Sequence, residues 1–274
     1  MHSLPSLRDT MQRHDLLPKK ALGQNFILDS NITDKIARAA GALESLHVIE
    51  VGPGPGGLTR AALNAGAMQV VAIEKDRRCM AALAELADAA QGRLRVVEAD
   101  ALTVDITTLA PEPRIILANL PYNVATPLLI SWLEQISRNR NAVQGMTLMF
   151  QKEVAERIFA SPGCKAYGRL SVMTQWLCTV QHRFDLPPHV FTPPPKVTST
   201  VLHFTPITPV VDVPWRQMEK VVAKAFGQRR KMLRSALKGM SDDVEAWLER
   251  AGIDPTERAE QLSIKQFGAL AAAL

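Results

Sequence analysis

The tetrapeptide Asn119-Leu120-Pro121-Tyr122 combines residue types that suit chemistry on the amine of a nucleic-acid base. Such an amine is a poor nucleophile because its lone pair is delocalised into the ring. The Asn119 side-chain oxygen and the Leu120 carbonyl could accept hydrogen bonds from its two N–H groups. This would favour a pyramidal nitrogen and free its lone pair. Pro121 would fix the turn so that both acceptors converge, and Tyr122 would stack on the base. The tetrapeptide therefore predicts attack by an adenine amine, whereas its structural alternative is an Asx-turn with a buried tyrosine.

A second group of candidate ligands follows three successive β-type runs. The segment 52–57 reads Gly-Pro-Gly-Pro-Gly-Gly, and Gly52 and Gly54 would let a nucleotide-type cofactor approach the backbone closely. Glu74 follows the next run and can accept hydrogen bonds from both hydroxyls of an adenosine ribose. Asp100 follows the third run and can accept a hydrogen bond from the adenine amine of the cofactor. Because the carboxyl ends of parallel strands meet at one edge of a sheet, these residues predict one cofactor site there.

Three cofactors fit this pattern: NAD, FAD and S-adenosyl-L-methionine. The two prolines in segment 52–57 remove backbone N–H donors that a dinucleotide pyrophosphate would need. S-adenosyl-L-methionine has no phosphate, and its sulfonium methyl is already activated, so alignment of the amine supplies most of the catalysis without a strong general base. The segment thus favours S-adenosyl-L-methionine, with S-adenosyl-L-homocysteine as product. A nicotinamide dehydrogenase is disfavoured because the sequence offers no plausible hydride-transfer site.

The elements that would position these residues alternate between β-type runs and helical segments. The β-type runs are 47–51, 70–73, 94–97, 115–118, 146–150, 176–184 and 199–204. The helical segments are 58–65, 77–90, 126–135 and 153–159, and another helix is expected to begin at Ser30 or Asn31 with one of the two as its cap. This alternation predicts an α/β fold with a doubly wound, mostly parallel sheet. The last two runs have no helix between them, so we expect the last strand to be antiparallel, at the edge of the sheet.

The sequence divides into two predicted domains. Residues 1–207 carry all the β-type runs and would form the cofactor-binding catalytic domain, with 1–20 as a flexible arm. Prolines punctuate segment 205–214, which we interpret as a linker. Residues 208–274 show helical periodicity alone and predict a small all-α C-terminal domain that binds RNA.

The C-terminal domain has a candidate basic helix face. On one continuous helix, Lys220, Lys224, Lys231, Arg234 and Lys238 would fall within a stripe of about 80°, which suits phosphate contacts. A solvated helix face is the alternative, and a glycine at position 227 could break the helix. The full set of candidate RNA contacts, including a loop expected near the active site, is Lys165, Arg169, Lys220, Lys224, Arg229, Arg230, Lys231 and Arg234.

The composition excludes several classes of protein. A 274-residue chain with 47% hydrophobic residues can bury a core, and its net charge of +5 is compatible with a nucleic-acid partner. Three cysteines without a C-x-x-C pair argue against a disulfide framework or a zinc site, and the histidines show no metal-ligand spacing. The sequence shows neither a secretory signal nor a membrane-spanning run. We therefore expect a cytoplasmic protein without a bound metal, monomeric by default.

Taken together, the motifs resemble those of the KsgA-type small-subunit (16S) rRNA adenine N6,N6-dimethyltransferases. The similar segments run along nearly the whole chain and are 20–26 (Lys-Ala-Leu-Gly-Gln-Asn-Phe), 50–54, 119–122, 151–157, 167–171 and 191–199 (Phe-x-Pro-x-Pro-x-Val-x-Ser). The resemblance implies a Rossmann-like class I methyltransferase sheet with a small helical domain. It also implies a substrate: two adjacent adenosines in a hairpin loop near the 3′ end of small-subunit rRNA, dimethylated within an immature 30S particle during ribosome biogenesis.

The resemblance further implies roles for particular residues. The cofactor contacts would be Asn25, Ile27, Gly52, Gly54, Glu74, Asp100 and Asn119. Phe191 would form a second aromatic face that sandwiches the flipped adenine against Tyr122. A base is extracted more readily from an RNA loop than from a duplex because its stacking is already partly lost.

Two other functions remain open at this point. A methyltransferase acting on large-subunit rRNA and conferring antibiotic resistance would share the chemistry of segment 119–122. The near full-length resemblance, including segment 191–199, disfavours it, and RNA selectivity would decide. A non-catalytic rRNA-binding assembly factor could keep the same fold. Intact Gly52, Glu74 and Asp100 argue against a pure loss of catalysis.

Overall fold

Seven strands form the main sheet of the protein. The computed structural model describes residues 4–19 and 23–274, so Lys20, Ala21 and Leu22 of the predicted N-terminal motif lie outside the described residues. The strands of this sheet are β2 (His47–Val51), β3 (Gln69–Glu74), β4 (Leu94–Glu98), β5 (Arg114–Ala118), β6 (Gly145–Gln151), β7 (Cys178–Leu186) and β9 (Ser199–Pro206). Two shorter strands, β1 (Phe26–Ile27) and β8 (Phe191–Thr192), pair antiparallel with each other.

The strand order is β4-β3-β2-β5-β6-β9-β7. Strands β2 to β6 run parallel, and β9 is antiparallel to β6. Both results confirm the prediction of a mostly parallel sheet with its last pair of strands at the edge. The central strands are covered on both faces, as their predominantly apolar sequences require: Val48, Val70 and Ile116 are fully buried. From β2 the chain adds β3 and β4 on one side of the sheet, and it then returns to add β5 and β6 on the other side. Ligands bind in open α/β sheets at such a switch point, here between β2 and β5.

Eleven α-helices occupy the described residues. They are α1 (Leu7–Arg13), α2 (Ser30–Ala39), α3 (Gly57–Asn64), α4 (Met80–Ala89), α5 (Tyr122–Arg138), α6 (Lys152–Ile158), α7 (Arg169–Leu177), α8 (Trp215–Gly227), α9 (Leu233–Ala236), α10 (Val244–Arg250) and α11 (Ile264–Ala272). The predicted segments for α3, α4 and α6 agree closely with these bounds. Asp29, which accepts the Asn31 N–H, caps α2 in place of the predicted Ser30 or Asn31.

Helix α7 was not predicted, and the first residues of run 176–184 were assigned to a strand instead. Trp176 and Leu177 end α7, and β7 begins at the next residue. Both side chains are buried, so this apolar stretch carries neither the alternation of a strand nor the stripe of a surface helix. A short apolar run of this kind does not reveal its own secondary structure.

The prediction that residues 1–20 form a loose arm is wrong for the described part, 4–19. The Ser6 hydroxyl accepts a backbone N–H in the first turn of α1, and Leu7 and Thr10 are buried. A seven-residue helix is too short to be stable alone, so its order comes from tertiary contacts.

Arg60, on α3, supplies the main polar contact that holds α1. Its guanidinium donates to the Pro5 carbonyl at 2.6 Å and to the Thr10 hydroxyl at 3.1 Å. The side chain is half-buried, and its desolvation lowers the pKa of the guanidinium. A charged donor in this position satisfies backbone and side-chain acceptors that would otherwise be poorly solvated.

The described chain separates into two compact units. The first unit comprises Met1–Gln135, Asn141–Lys152 and Gln181–Thr205, and the second comprises Ile136–Arg140, Glu153–Val180 and Pro206–Leu274. The chain enters the last part of the second unit at Pro206, close to the predicted boundary after residue 207. The difference is that the second unit also takes α7 and most of α6, because these helices pack with the C-terminal ones. A single boundary in sequence therefore does not describe the division.

The second unit has its own core, with polar groups satisfied inside it. The Tyr167 hydroxyl donates to the Leu262 carbonyl at 2.9 Å, and the Trp247 indole N–H donates to the Leu270 carbonyl at 2.9 Å. Both side chains are fully buried. The candidate basic stripe does not lie on one continuous helix: α8 ends at Gly227, at the glycine that allowed a break, and α9 begins only at Leu233. In the described part of the chain, no helix combines the length and apolar character that crossing a membrane requires.

We expect Arg60→Met to release α1 from the first unit. The substitution keeps the apolar stem but removes hydrogen bonds from a charged donor, worth about 2 kcal/mol to the local structure. Hydrogen exchange of peptides spanning 7–16 should accelerate correspondingly, while exchange in the central strands stays unchanged. Arg13→Met is the matched control, because the Arg13 side chain is 56% exposed and pairs with Glu85 at the surface. Equal exchange in the two variants would contradict the assigned role of Arg60.

Candidate active site at the carboxyl edge of the sheet

A cavity of about 520 Å³ lies at the carboxyl ends of the parallel strands in the first unit. This volume is typical of sites for small molecules and cofactors. The predicted ligand residues that line it are Asn25, Ile27, Gly52, Gly54, Glu74, Asp100, Asn119, Leu120, Pro121 and Tyr122. The sheet topology thus brings together residues that lie far apart in sequence. Phe191 does not belong to the lining.

The glycine-rich turn needs glycine for two separate reasons. Gly52 and Gly54 have φ values of +71° and +54°, in the left-handed region that disfavours other residues. A Cβ atom on Gly54 would also lie 2.6 Å from the Phe26 ring, so the turn and β1 approach each other too closely for a side chain. The Gly54 N–H donates to the Glu74 carboxylate at 3.0 Å.

Glu74 is held by backbone donors on both oxygens. One oxygen accepts the N–H groups of Lys75 and Asp76, each at 2.8 Å, and the other accepts the Gly54 N–H. Burial raises the pKa of Glu74, and these hydrogen bonds oppose the rise. A carboxylate offers about four acceptor positions, and three are occupied by these N–H groups, so Glu74 keeps about one for a ribose hydroxyl.

Asp100 stands at the rim of the cavity with partners of its own. One oxygen lies 2.7 Å from the Lys75 ammonium, and the other accepts the Leu102 N–H at 3.1 Å. The Lys75 hydrogen bond is the main reason why the pKa of Asp100 is lowered. Since the Lys75 side chain is 70% exposed, the ion pair is weak and a ligand amine can share or replace it.

Asn119 is oriented by the segment that precedes β1. Its amide nitrogen donates to the Asn25 carbonyl at 3.1 Å. The amide nitrogen of Asn119 is therefore occupied by a contact within the protein, and its amide oxygen can accept a hydrogen bond from a substrate N–H. The Pro121 carbonyl accepts the N–H groups of Val124 and Ala125, which makes the turn continuous with the start of α5.

The structure brings one of the two predicted aromatic faces to the cavity. Tyr122 lines it, and its hydroxyl lies 2.6 Å from the Ser199 hydroxyl. Phe191 is 3% exposed and pairs with Ile27 in the small sheet of β1 and β8. The predicted sandwich of a base between the two rings is therefore not preformed, and the Phe191 ring would have to move to contact one.

Glu50 is a functional candidate that was not singled out from the sequence. It lies in β2 just before the glycine-rich turn, lines the cavity, and is 1% exposed. Desolvation by burial raises the pKa of Glu50 to about 8, although its carboxylate accepts the Thr59 hydroxyl at 2.5 Å. A buried carboxylate in a cofactor cavity would attract an ammonium or sulfonium group. The signal available in sequence was an acidic residue inside an otherwise apolar strand.

The candidate RNA contacts, all in the second unit, fall into two groups. Arg169 pairs with Glu219 at 2.8 Å, and Arg229 pairs with Glu260 at 2.7 Å while donating to the Lys165 carbonyl. Both arginines stay accessible, with 50% and 36% of their side chains exposed. The others are exposed as well: Lys165, Lys220, Lys224, Arg230, Lys231 and Arg234, the last of which lies 3.8 Å from Glu245.

Comparison with known proteins gives concordant results. The family described as "Ribosomal RNA adenine dimethylase" matches residues 16–274. Proteins named "Ribosomal RNA small subunit methyltransferase A" are similar over nearly their full length. The one from Sinorhizobium medicae is 57% identical over 99% of this chain and 98% of its own. The one from Rhodospirillum rubrum is 53% identical over 99% and 93%.

Two solved structures are similar at lower identity. A dimethyladenosine transferase from Plasmodium falciparum matches with a TM-score of 0.71 and 26% identity, covering 88% of this chain and 94% of its own. The 23S rRNA methyltransferase ErmE matches with a TM-score of 0.69 and 26% identity, covering 91% and 99%.

We expect Glu50→Gln to change how stability depends on pH. The pKa of Glu50 is about 8 in the folded protein and near its ordinary value of 4.5 in the unfolded chain. Between these two pH values the folded protein keeps a proton on Glu50 that the unfolded chain has lost. Wild-type stability therefore falls as pH rises from about 4.5 to 8, by an amount on the order of 4 to 5 kcal/mol. Glutamine keeps an acceptor for Thr59 but cannot ionise. Denaturant unfolding from pH 5 to pH 8 should show a smaller fall in the variant, and parallel curves would refute the assignment.

We expect Gly54→Ala to destabilise the protein more than Gly252→Ala does. Both glycines have a left-handed φ, at +54° and +69°, but a Cβ on Gly252 meets open space. The comparison isolates the clash with Phe26, for which overpacking costs roughly 1 to 3 kcal/mol. Urea unfolding of the two variants measures the difference. Equal losses would mean that the Phe26 ring moves aside without a penalty.

Proposed function

The chain belongs to the ribosomal RNA adenine dimethylase family, and from this membership we propose that it transfers methyl groups from S-adenosyl-L-methionine to the N6 amines of two adjacent adenosines near the 3′ end of small-subunit rRNA. Each adenosine would receive two methyl groups. The observation that carries the proposal is the orientation of Asn119. Its amide donor is bound to Asn25, and its acceptor is available at the end of β5 for a base amine.

The lining of the cavity fits S-adenosyl-L-methionine. The turn at Gly52 and Gly54 presents backbone without side chains to the cavity, and Glu74 would accept a ribose hydroxyl. Asp100 offers an acceptor for the adenine amine. The buried Glu50, whose pKa of about 8 keeps it mostly protonated at neutral pH, would ionise when the amino group or the sulfonium of the cofactor enters. The two prolines in the turn reduce its capacity to bind a pyrophosphate. Asn25 and Ile27 would cover the bound cofactor.

In the reaction, the bound cofactor supplies an activated methyl group. The Asn119 oxygen and the Leu120 carbonyl accept the two N–H bonds of the adenine amine and make its lone pair available. The Tyr122 ring stacks on the base and holds the amine in line for transfer. The amine proton leaves after the methyl group is attached, and the site needs no strong base for that step. Phe191 would complete the aromatic sandwich if its ring turned out of the core on RNA binding.

The exposed basic residues of the second unit are proposed to contact rRNA phosphates. Lys220 and Lys224 on α8, and Arg230 and Lys231 in the loop after it, form this candidate surface. Arg169 and Arg229 form ion pairs with Glu219 and Glu260 but keep 50% and 36% of their side chains exposed, so RNA phosphates would compete with these carboxylates for them. We further propose that the natural substrate is an immature 30S particle and that the enzyme acts as a monomer in the cytoplasm, where its three free cysteines would stay reduced.

Methylation of large-subunit rRNA is the competing function, because ErmE shares the fold at 26% identity. Relatives named for the small subunit reach 53% and 57% over nearly the whole chain, and this difference favours the small subunit. The two functions differ in their RNA substrate, so each predicts a different labelled RNA.

We expect Asn119→Ala to abolish methyl transfer while cofactor binding persists. Loss of an acceptor that acts on the reacting nitrogen should lower kcat at least a hundredfold. The assay combines labelled S-adenosyl-L-methionine with small subunits lacking the modification and, in a parallel reaction, with large-subunit RNA, followed by digestion and identification of N6,N6-dimethyladenosine. Asn31→Ala is the matched control, because it removes an exposed amide that does not line the cavity. Labelling of large-subunit RNA alone would overturn the substrate assignment.

A further inference from the structure

The Tyr122 hydroxyl is bound to a residue whose role is not explained by the proposed reaction. Ser199 begins β9, is fully buried, and lies with its hydroxyl 2.6 Å from that of Tyr122. It is also the last residue of segment 191–199, which the sequence comparison singled out as a motif. A buried serine at this distance from a phenol forms a strong neutral hydrogen bond.

A stacking ring needs a second point of attachment. The start of α5 fixes the backbone of Tyr122, but the Cα–Cβ bond still allows staggered rotamers that carry the ring to different places. The hydroxyl lies at the far end of the ring, on the axis that runs through Cβ and Cγ, so a hydrogen bond there selects one rotamer and fixes the direction of that axis. Two attachments, one at each end, define where the ring lies in the cavity.

Ser199 is itself held on several sides. It pairs with Gln151 across β6 and β9. The neighbouring Thr200 hydroxyl donates to Asp185 at 2.8 Å, and Asp185 accepts the Lys152 ammonium at 2.9 Å. The Lys152 N–H donates to the carbonyl of Thr198, on the other side of Ser199. The serine hydroxyl is therefore a fixed point and not a flexible partner.

We propose that Ser199 is a positioning residue that fixes the direction of the Tyr122 side chain, and so the place at which its ring stacks, and thereby aligns the target adenine with the methyl donor. This inference rests on the proposed function, in which Tyr122 stacks on the base. Burial raises the pKa of Tyr122, so the phenol stays protonated at neutral pH. The hydrogen bond therefore orients the ring and does not prepare a base.

The kinetic test is a double-mutant cycle of Ser199→Ala and Tyr122→Phe. Each change removes one side of the same hydrogen bond, so each should lower kcat roughly tenfold, and the double variant should be no slower than the single ones. Cofactor affinity should stay unchanged, and Ser199→Thr should restore the rate. Additive losses, or an unchanged kcat in Ser199→Ala, would overturn the proposal. If Ser199→Ala does not fold, an unchanged kcat in Tyr122→Phe would overturn it equally.

The control is Thr147→Val. Thr147 lies in β6, is fully buried, and forms a comparable hydrogen bond to His203 of β9 at 2.8 Å, but it does not line the cavity. Its loss should reduce stability without changing kcat. A tenfold lower kcat in this variant would show that any weakening of the β6–β9 pair slows the reaction, and that Ser199 has no special role.

A second readout is independent of catalysis. The chain has two tyrosines, Tyr122 and Tyr167, so 3-fluorotyrosine labelling gives two ¹⁹F resonances, which the Tyr122→Phe variant assigns. Ser199→Ala should shift and broaden the Tyr122 resonance and leave that of Tyr167 in place. An unchanged Tyr122 resonance would refute the proposal even if the wild type methylates rRNA. A wild type that methylates no rRNA, with a Tyr122 resonance that responds to Ser199, would instead refute the proposed function alone.

Discussion

The parallel pairing of β2 with β5 is the constraint on which the site depends. It places the glycine-rich turn and the tetrapeptide that begins with Asn119 on adjacent strand ends, although they are far apart in sequence. The chain order reverses between these two strands, so no crossover helix covers the crevice between them. Their apolar side chains are buried on both faces, so the register cannot slip without exposing the core. The geometry of the cavity is thus a consequence of core packing.

Short polar contacts then refine what the sheet has brought together. The Asn25 carbonyl orients the Asn119 amide, the Gly54 N–H holds Glu74, and Ser199 holds Tyr122. Each contact joins a ligand-facing group to a residue from a different element. Such prearranged dipoles and rings favour catalysis because they need no reorganisation when the substrate binds. Glu50 differs from these prearranged groups, because ionisation of its buried carboxyl group is unfavourable until a cation enters the cavity.

The second unit shows why basic residues are poor guides to a binding surface by themselves. Arg229 was a candidate RNA contact, but its guanidinium binds Glu260 and backbone carbonyls around Lys165. It therefore organises a loop whose lysine is exposed. The break between α8 and α9 has a similar consequence, since it divides a basic stripe that a continuous helix would have displayed.

The sequence by itself determined the sheet, its mostly parallel strands and several of the polar groups lining the cavity, because buried strands and glycine turns leave local patterns. Residues such as Glu74 and Asn119 were recognisable because each directly follows an apolar run. Tertiary structure alone decided that the segment of α1 is ordered, through contacts such as the hydrogen bond from Arg60 to the Pro5 carbonyl. It also decided that α7 is a helix, since its apolar sequence is compatible with helix or strand. It also decided that Phe191 is buried against β1 and that Ser199 binds Tyr122. These contacts join residues distant in the chain, and no periodicity or spacing within a segment records them.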